Sequence, residues 1–212
     1  MAYYPLFLRL QGCPCLVVGG GPVGERKVRG LLQAEARVTV VSPRLTPGLT
    51  ELARREIIEW RRRGYRRKDL QGKVLVFAAS GNRLLNALIA ADCRKAGIWV
   101  NVADGPERST FLVPAVIRRG GLHIAISTGG GSPALASLLK RRLEANIGKD
   151  YSAFLSFLSE LRSWIKAQFP QDQGKRAEVF RRLAGDPVLF ELVARGEEEA
   201  ARERVRRCLS WL

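Results

Sequence analysis

Residues 15–32 read CLVVGGGPVGERKVRGLL. An apolar β run leads into three consecutive glycines, and Val28, Leu31 and Leu32 beyond them keep helical spacing. RVTVVS at 37–42 follows as a second β run, broken by Pro43. Strand, glycine turn, helix and strand within about thirty residues is the setting in which a G-x-G-x-x-G match acquires meaning. Gly19, Gly21 and Gly24 fill its three positions, with Pro22 and Val23 between the last two. The first glycine permits a tight turn, the second lets backbone approach a pyrophosphate, and the third lets helix and strand pack closely. The helix N-terminus then faces the anion.

Outward from this turn, strands and helices alternate. A helix is expected near 48–55, a strand in KVLVFAAS (73–80), a helix in RLLNALIAADCRKAG (83–97) and a strand in IWVNVAD (98–104). Such alternation predicts an α/β fold with a Rossmann-like, doubly wound parallel sheet over residues 12–113. The pattern then changes. TFLVPAVIRRGGLHIAIST (110–128) reads as two short strands joined at Gly120-Gly121, and the glycine loop after it opens a helix with Ser132 as N-cap and Pro133 at its first position. From 149 onward the chain reads as helices: 152–169, 175–185, and a last stretch over 187–212. Three segments are expected: a dinucleotide-binding domain over 1–113, a short mixed segment over 114–148, and a helical domain over 149–212.

Composition narrows the function classes. Hydrophobic residues make up 46% of the 212, enough for a substantial core. MAYYPLFLRL lacks the basic and long apolar regions of an export signal, and no window approaches ~18 uninterrupted apolar residues, so a cytoplasmic protein with no membrane partner is expected. Four scattered cysteines (Cys13, Cys15, Cys93, Cys208) and one histidine supply no dedicated metal site. That histidine, His123, lies in the alternating run LHIAIS and reads as a strand residue rather than a ligand or base. The net charge of +16 is uneven: residues 1–150 hold 25 Lys and Arg against 11 Asp and Glu, and the remainder 11 against 9. An acidic partner for the first part is implied, whether nucleic acid, an anionic surface or a polyanionic small molecule.

Four further stretches bear on chemistry. The second β run carries no Asp or Glu at its end, where an acid would hold the ribose of NAD; Ser42 and Arg44 stand there, and Arg44 suits the 2′-phosphate of NADP as well as a solvated strand end. Asp104 follows a strand at the expected carboxyl edge of the sheet. It is the best-placed candidate base there, although Asp-Gly-Pro is also an ordinary turn. The basic run RRRGYRRK (61–68) reads as a solvated face, with Trp60 and Tyr65 interleaved but no nucleic-acid motif beside it. STGGGSP (127–133) offers hydroxyls from Thr128 and Ser132 at a second helix start; an ordinary cap accounts for the serine and proline but not for three glycines.

Taken together, VVGGGPVGERKVRGLL, VTVVSP, LVFAAS…N and VNVADGPERSTFLVPAVIRRGGLHIAISTGGGSPALASLLKRRLE, in this order and spacing, closely resemble the precorrin-2 dehydrogenase family. That family includes the dehydrogenase/ferrochelatase of siroheme synthesis and the N-terminal part of siroheme synthase. The resemblance spans about residues 3–148; the helical tail matches only in position and character. It implies NAD-dependent oxidation of precorrin-2 to sirohydrochlorin, in some members followed by insertion of Fe²⁺, with Co²⁺ an alternative. By motif, Gly19, Gly21, Pro22, Val23, Gly24, Ser42, Pro43, Arg44 and Ser80 would contact the dinucleotide. Asp104 would accept a proton and assist any chelation, Thr128 and Ser132 would touch substrate, and 114–148 would form a homodimer. Gly24 and Ser80 depart from the family's usual alanine and threonine. A polycarboxylate substrate makes sense of the basic N-terminal part without nucleic acid. A chelatase alone, or a non-catalytic sensor of NAD or tetrapyrrole, are the competing readings.

Overall fold

Strand β1 (Pro14–Val18) is apolar from Cys15 to Val18 because helices cover both of its faces. Side chains alternate along a strand. Cys15 and Val17 enter a core with Val28 and Leu31 of α1 (Pro22–Leu32) and Leu49 of α2 (Pro47–Arg54), whereas Leu16 and Val18 enter one with Ile89, Ala90 and Cys93 of α3 (Arg83–Lys95). The structure is a computed structural model and describes residues 3–209. In it, β1 joins β2 (Arg37–Val41), β3 (Glu59–Arg61), β4 (Leu75–Ala78) and β5 (Trp99–Val102) in one parallel sheet of order β3-β2-β1-β4-β5. Val17 pairs with Val40 on one side and Phe77 on the other.

The sheet is the doubly wound one the alternating pattern predicts. Its strand order reverses at β1, so the carboxyl ends of β1 and β4 flank the crevice where ligands bind in such sheets. Strand β3 is the element the sequence pattern does not reveal. It is three residues long, and Trp60 and Arg61 take their place through pairing with Val40 and Val41 rather than through an apolar period.

The basic run is not the uniformly solvated face its composition suggests. Asp69, fully buried in the short 3₁₀ turn Arg67–Leu70, accepts from Arg61 Nη1 (2.8 Å), from Arg63 Nη1 and Nη2 (2.8 and 2.6 Å) and from the Arg66 N–H (2.8 Å). Burial by itself would raise this carboxyl's pKa, but the Arg63, Arg66 and Arg61 donors outweigh it and hold Asp69 below the ordinary carboxylate range. Arg62, by contrast, lies exposed, 5.7 Å from the Trp60 ring centroid.

A depressed folded-state pKa means that ionised Asp69 stabilises the fold above the unfolded value of ~4, and that this contribution is lost progressively as pH falls below it. Asp69→Asn should therefore cost about 3 kcal/mol at neutral pH, the partly exposed guanidiniums of Arg61 and Arg63 tempering the usual penalty for a broken buried pair. It should also flatten the acid limb of stability against pH. Urea unfolding of both proteins between pH 3 and 7 measures both effects, and parallel curves would remove Asp69 from the acid dependence.

Contacts divide the chain into two compact units, Met1–Val113 and Pro114–Leu212. In the second, β6 (Ala115–Arg119) and β7 (Leu122–Ile126) form an antiparallel hairpin, with Gly120 at φ +56° making the two-residue turn. Helix α4 (Pro133–Asn146) starts at the expected Ser132 cap, whose Oγ accepts from the Leu135 N–H at 3.2 Å. Helices α5 (Asp150–Gln168), α6 (Gln173–Ala184), α7 (Pro187–Ala194) and α8 (Glu198–Leu209) enclose a separate core of Phe154, Phe157, Leu161, Ile165, Val179, Leu183, Leu189 and Val205.

The last predicted helical stretch is two helices rather than one. Gly196 adopts φ +75°, and the Gly196 and Glu197 N–H groups bond back to Val193 and Leu192 carbonyls at 3.1 and 2.9 Å, a Schellman stop. Residues 210–212 of that stretch lie outside the described residues.

Candidate active site

The glycine turn sits between β1 and α1 and is shaped by three close approaches. At Gly19 (φ +126°) a Cβ would strike the Ala79 carbonyl at the end of β4, and at Gly24 it would strike the Gly19 carbonyl. Gly20, absent from the sequence-derived site, is equally constrained: a Cβ there would meet the Arg44 carbonyl and the Ser42 hydroxyl. The one available signal was that it is the middle glycine of a run of three, and its reason lies in a chain segment more than twenty residues away.

Gly21 differs from these three. A Cβ on it would meet nothing within 4 Å, and its backbone is extended (φ −84°), so open space borders the backbone where a pyrophosphate must approach. Pro22 begins α1 and Val23 is partly exposed beside it. No side chain caps this helix end, which leaves first-turn N–H groups to an incoming anion. The geometry therefore fits a dinucleotide.

The corner after β2 is a braced loop. The Ser42 hydroxyl donates to the Arg44 carbonyl at 2.7 Å, and the Trp60 indole N–H donates to the Ser42 carbonyl at 2.9 Å. Thr46 Oγ1 donates to Glu25 Oε2 at 2.6 Å, and the Thr46 N–H to the Gly20 carbonyl at 2.9 Å, which ties the corner to the glycine turn. The Thr46 hydroxyl, with Arg29, holds the Glu25 carboxyl below its ordinary pKa. Pro43 and Arg44 are exposed, and the Arg44 guanidinium makes no ion pair among the described residues. Ser42 is thus a brace of the corner before it is a ligand contact.

Asp104 lies two residues beyond β5, its side chain about one third exposed. Asn86 Nδ2 donates to its Oδ1 at 2.9 Å, while its Oδ2 lies 3.8 Å from Arg83 Nε. Asn86 is fully buried on α3 and also bonds Ser80, the residue that follows Ala79. Ser80, Asp104, the glycine turn and the Ser42 corner therefore lie at one carboxyl edge of the sheet, as the motif order predicts. Asn86 was missed. Its only sequence signal is a polar residue on the otherwise apolar face formed with Ile89, Ala90 and Cys93.

Thr128 and Ser132 lie in the second unit, in the loop from β7 to α4. Thr128 Oγ1 accepts from the Ser132 N–H at 3.0 Å and donates to the Ser132 carbonyl at 3.1 Å, so these two predicted residues meet each other. The three glycines are needed by this turn after all: Gly129 and Gly130 have φ of +63° and +88°, and a Cβ on Gly131 would lie 3.2 Å from the Thr128 carbonyl.

Among the described residues no group of three or more His, Cys, Asp or Glu side chains is placed to hold a metal ion. Burial pushes the Cys15 and Cys93 thiols up to about 11 and about 12, so neither is a nucleophile at neutral pH. No helix among the described residues is long and apolar enough to cross a membrane.

A doubly wound parallel sheet with a three-glycine turn facing open space, and a braced carboxylate at the same edge, defines a dinucleotide-binding protein. Residues 6–115 match the NAD_binding_7 family, described as "Putative NAD(P)-binding", and residues 119–146 match the sirohaem biosynthesis protein central family. The chain belongs to this NAD(P)-binding family. It is 43% identical over 203 residues to siroheme synthase 3 of Aeromonas hydrophila, covering 96% of this chain and 43% of that protein. It is also 43% identical over 209 residues to the siroheme synthase of Thioalkalivibrio sulfidiphilus, covering 99% and 42%. The chain thus spans about two fifths of the length of these curated relatives. The solved structure of SirC, precorrin-2 dehydrogenase, superposes with a TM-score of 0.75 at 25% identity, covering 97% of this chain and all of that one.

Proposed function

We propose that this chain oxidises precorrin-2 to sirohydrochlorin with NAD. The observation that carries the reading is the Asp104 carboxylate, fixed through Oδ1 and about one third exposed, at the sheet edge where the glycine turn presents its backbone. Bound NAD supplies the hydride acceptor. The chain's own residues orient the two reactants and remove the proton: Gly21 and the start of α1 take the pyrophosphate, Pro22, Val23, Pro43, Arg44 and Ser80 line the dinucleotide, and Asp104 Oδ2 takes the proton that leaves as the macrocycle gains a double bond. Thr128 and Ser132 stand as substrate contacts through backbone that their mutual bonds hold in place. Similarity to the siroheme synthases and to SirC, itself a precorrin-2 dehydrogenase, supports precorrin-2 as substrate.

Anaerobic incubation of the protein with precorrin-2 and NAD, and separately NADP, tests this. Dinucleotide-dependent appearance of sirohydrochlorin with one reduced dinucleotide per molecule is expected. Tetrapyrrole binding without dinucleotide reduction would leave the sensor reading standing instead. Adding Fe²⁺ or Co²⁺ to the product mixture tests whether the chain also inserts metal.

The 114–148 segment supports a homodimer. A two-stranded hairpin is marginal on its own, and α4 buries only Ala136 while Leu135 and Leu143 stay partly exposed. Sedimentation should give twice the chain mass, and Leu135→Asp with Leu143→Asp should return it to the monomer. A monomeric wild type would end this proposal.

A further inference from the structure

We infer that Asn86 is the positioning residue for the Asp104 base, fixing from beneath the site which carboxylate oxygen faces it. The inference rests on the dehydrogenase reading above and adds to it a residue outside the dinucleotide fingerprint.

Asn86 is wholly buried, and each of its amide bonding positions is spoken for. Oδ1 accepts from the Ser80 N–H at 3.1 Å and from Ser80 Oγ at 2.7 Å; Nδ2 donates to the Ser80 carbonyl at 3.0 Å and to Asp104 Oδ1 at 2.9 Å. The backbone N–H of Ser80 can only donate and its carbonyl can only accept. The amide therefore has one possible orientation, with its NH₂ toward Asp104. A flip would place Oδ1 against the Asp104 carboxylate and leave buried donors and acceptors unpaired, at a cost no exposed amide would face.

Two consequences follow. Asp104 Oδ1 is held, so the carboxylate cannot rotate freely and Oδ2, with Arg83 Nε 3.8 Å away, is the oxygen left for a proton. Finally, the same amide grips the turn after β4, whose Ala79 carbonyl lies against Gly19. One buried side chain thereby couples the base to the backbone that shapes the dinucleotide turn. Helix α3 can supply it because its Asn82 cap, with Oδ1 accepting from the Leu85 N–H at 3.1 Å, sets where the first turn begins and so where residue 86 points.

Asn86→Asp is the decisive variant. It is isosteric and keeps an oxygen for both Ser80 donors, but it sets a second carboxyl against Asp104, and two carboxyls at that distance share a proton. The acid limb of kcat against pH should move up by at least one pH unit, while the Kd for NAD stays within threefold. Asp104→Asn is measured beside it. If Asp104→Asn turns over normally, the base reading fails and Asn86 loses its role with it. If Asp104→Asn is inactive but the Asn86→Asp profile coincides with wild type, the base stands and the positioning inference alone is overturned. Should Asn86→Asp not accumulate as folded protein, Asn86→Ser gives the second readout. A shorter side chain cannot bridge Ser80 and Asp104, so kcat at saturating NAD should fall about tenfold or more. An unchanged kcat in that variant would overturn the inference equally.

Discussion

Asp104→Asn should retain NAD affinity within about threefold and lose about 10²- to 10⁴-fold in precorrin-2 turnover, the range that a positioned general base supplies. The substitution is nearly silent structurally. Asparagine keeps an oxygen to accept from Asn86 Nδ2, and the rest of the side chain sits at a partly exposed edge where no core packing depends on it. The glycine turn that binds the dinucleotide is untouched. What disappears is the proton acceptor at Oδ2, whose replacement is an NH₂ group that can only donate. Stopped-flow measurement of reduced dinucleotide, with fluorescence titration of NAD in parallel, separates the two effects. Turnover within a few-fold of wild type would show that the proton leaves by another route, and would return Asp104 to the ordinary turn residue that Asp-Gly-Pro also spells.

The second large effect is a contrast between two glycines two residues apart. Gly19→Ala should destabilise the protein by about 3 kcal/mol or more, since it combines a strained positive φ with a Cβ driven into the Ala79 carbonyl, a backbone atom that cannot swing aside. For a chain of this size that corresponds to an unfolding midpoint roughly 10 °C lower. Gly21→Ala should leave the midpoint within about 2 °C, because its backbone is extended and the added methyl meets nothing. Yet it should weaken NAD about tenfold or more, since the methyl occupies space the pyrophosphate needs. Calorimetry and NAD titration on both variants check this. Equal loss of stability in the two, or unaltered NAD affinity in Gly21→Ala, would mean that the open side of Gly21 is not where the dinucleotide enters.

That contrast also marks how far the site was legible. Gly19, Gly21 and Gly24 follow from spacing, because a strand-turn-helix that approaches a phosphate imposes glycine at fixed offsets. The structure explains two of them by contacts within the same unit and one by the absence of any. Gly20 was not legible, since its constraint is the Arg44 carbonyl, brought in by the corner after β2. The basic run misled for the same reason: charge pattern alone cannot tell a solvated arginine from one folded back onto a buried aspartate eight residues along. In the STGGGSP loop the three glycines looked like surplus to a capped helix until positive φ accounted for Gly129 and Gly130 and the nearby Thr128 carbonyl for Gly131.

The residue sequence by itself determined the alternation of strands and helices, the glycine turn, the Ser132 cap, and the placing of Ser80 and Asp104 at strand ends. All of these are local, written in periods of two and 3.6 and in residue types with few conformational options. Only the tertiary structure decided which of those ends share an edge and what stands behind them. Ser80 and Asp104 meet through Asn86, eighteen residues from Asp104 along the chain, because β4 and β5 are parallel neighbours and α3 crosses between them on one face. Thr46 and Glu25 meet, twenty-one residues apart, because α1 and the β2 corner flank the same turn. A crossover connection brings such partners together at a distance that no pattern along the chain records, and the burial of the Asn86 amide, whose donors and acceptors must be satisfied once water is excluded, makes its meeting with Ser80 and Asp104 obligatory.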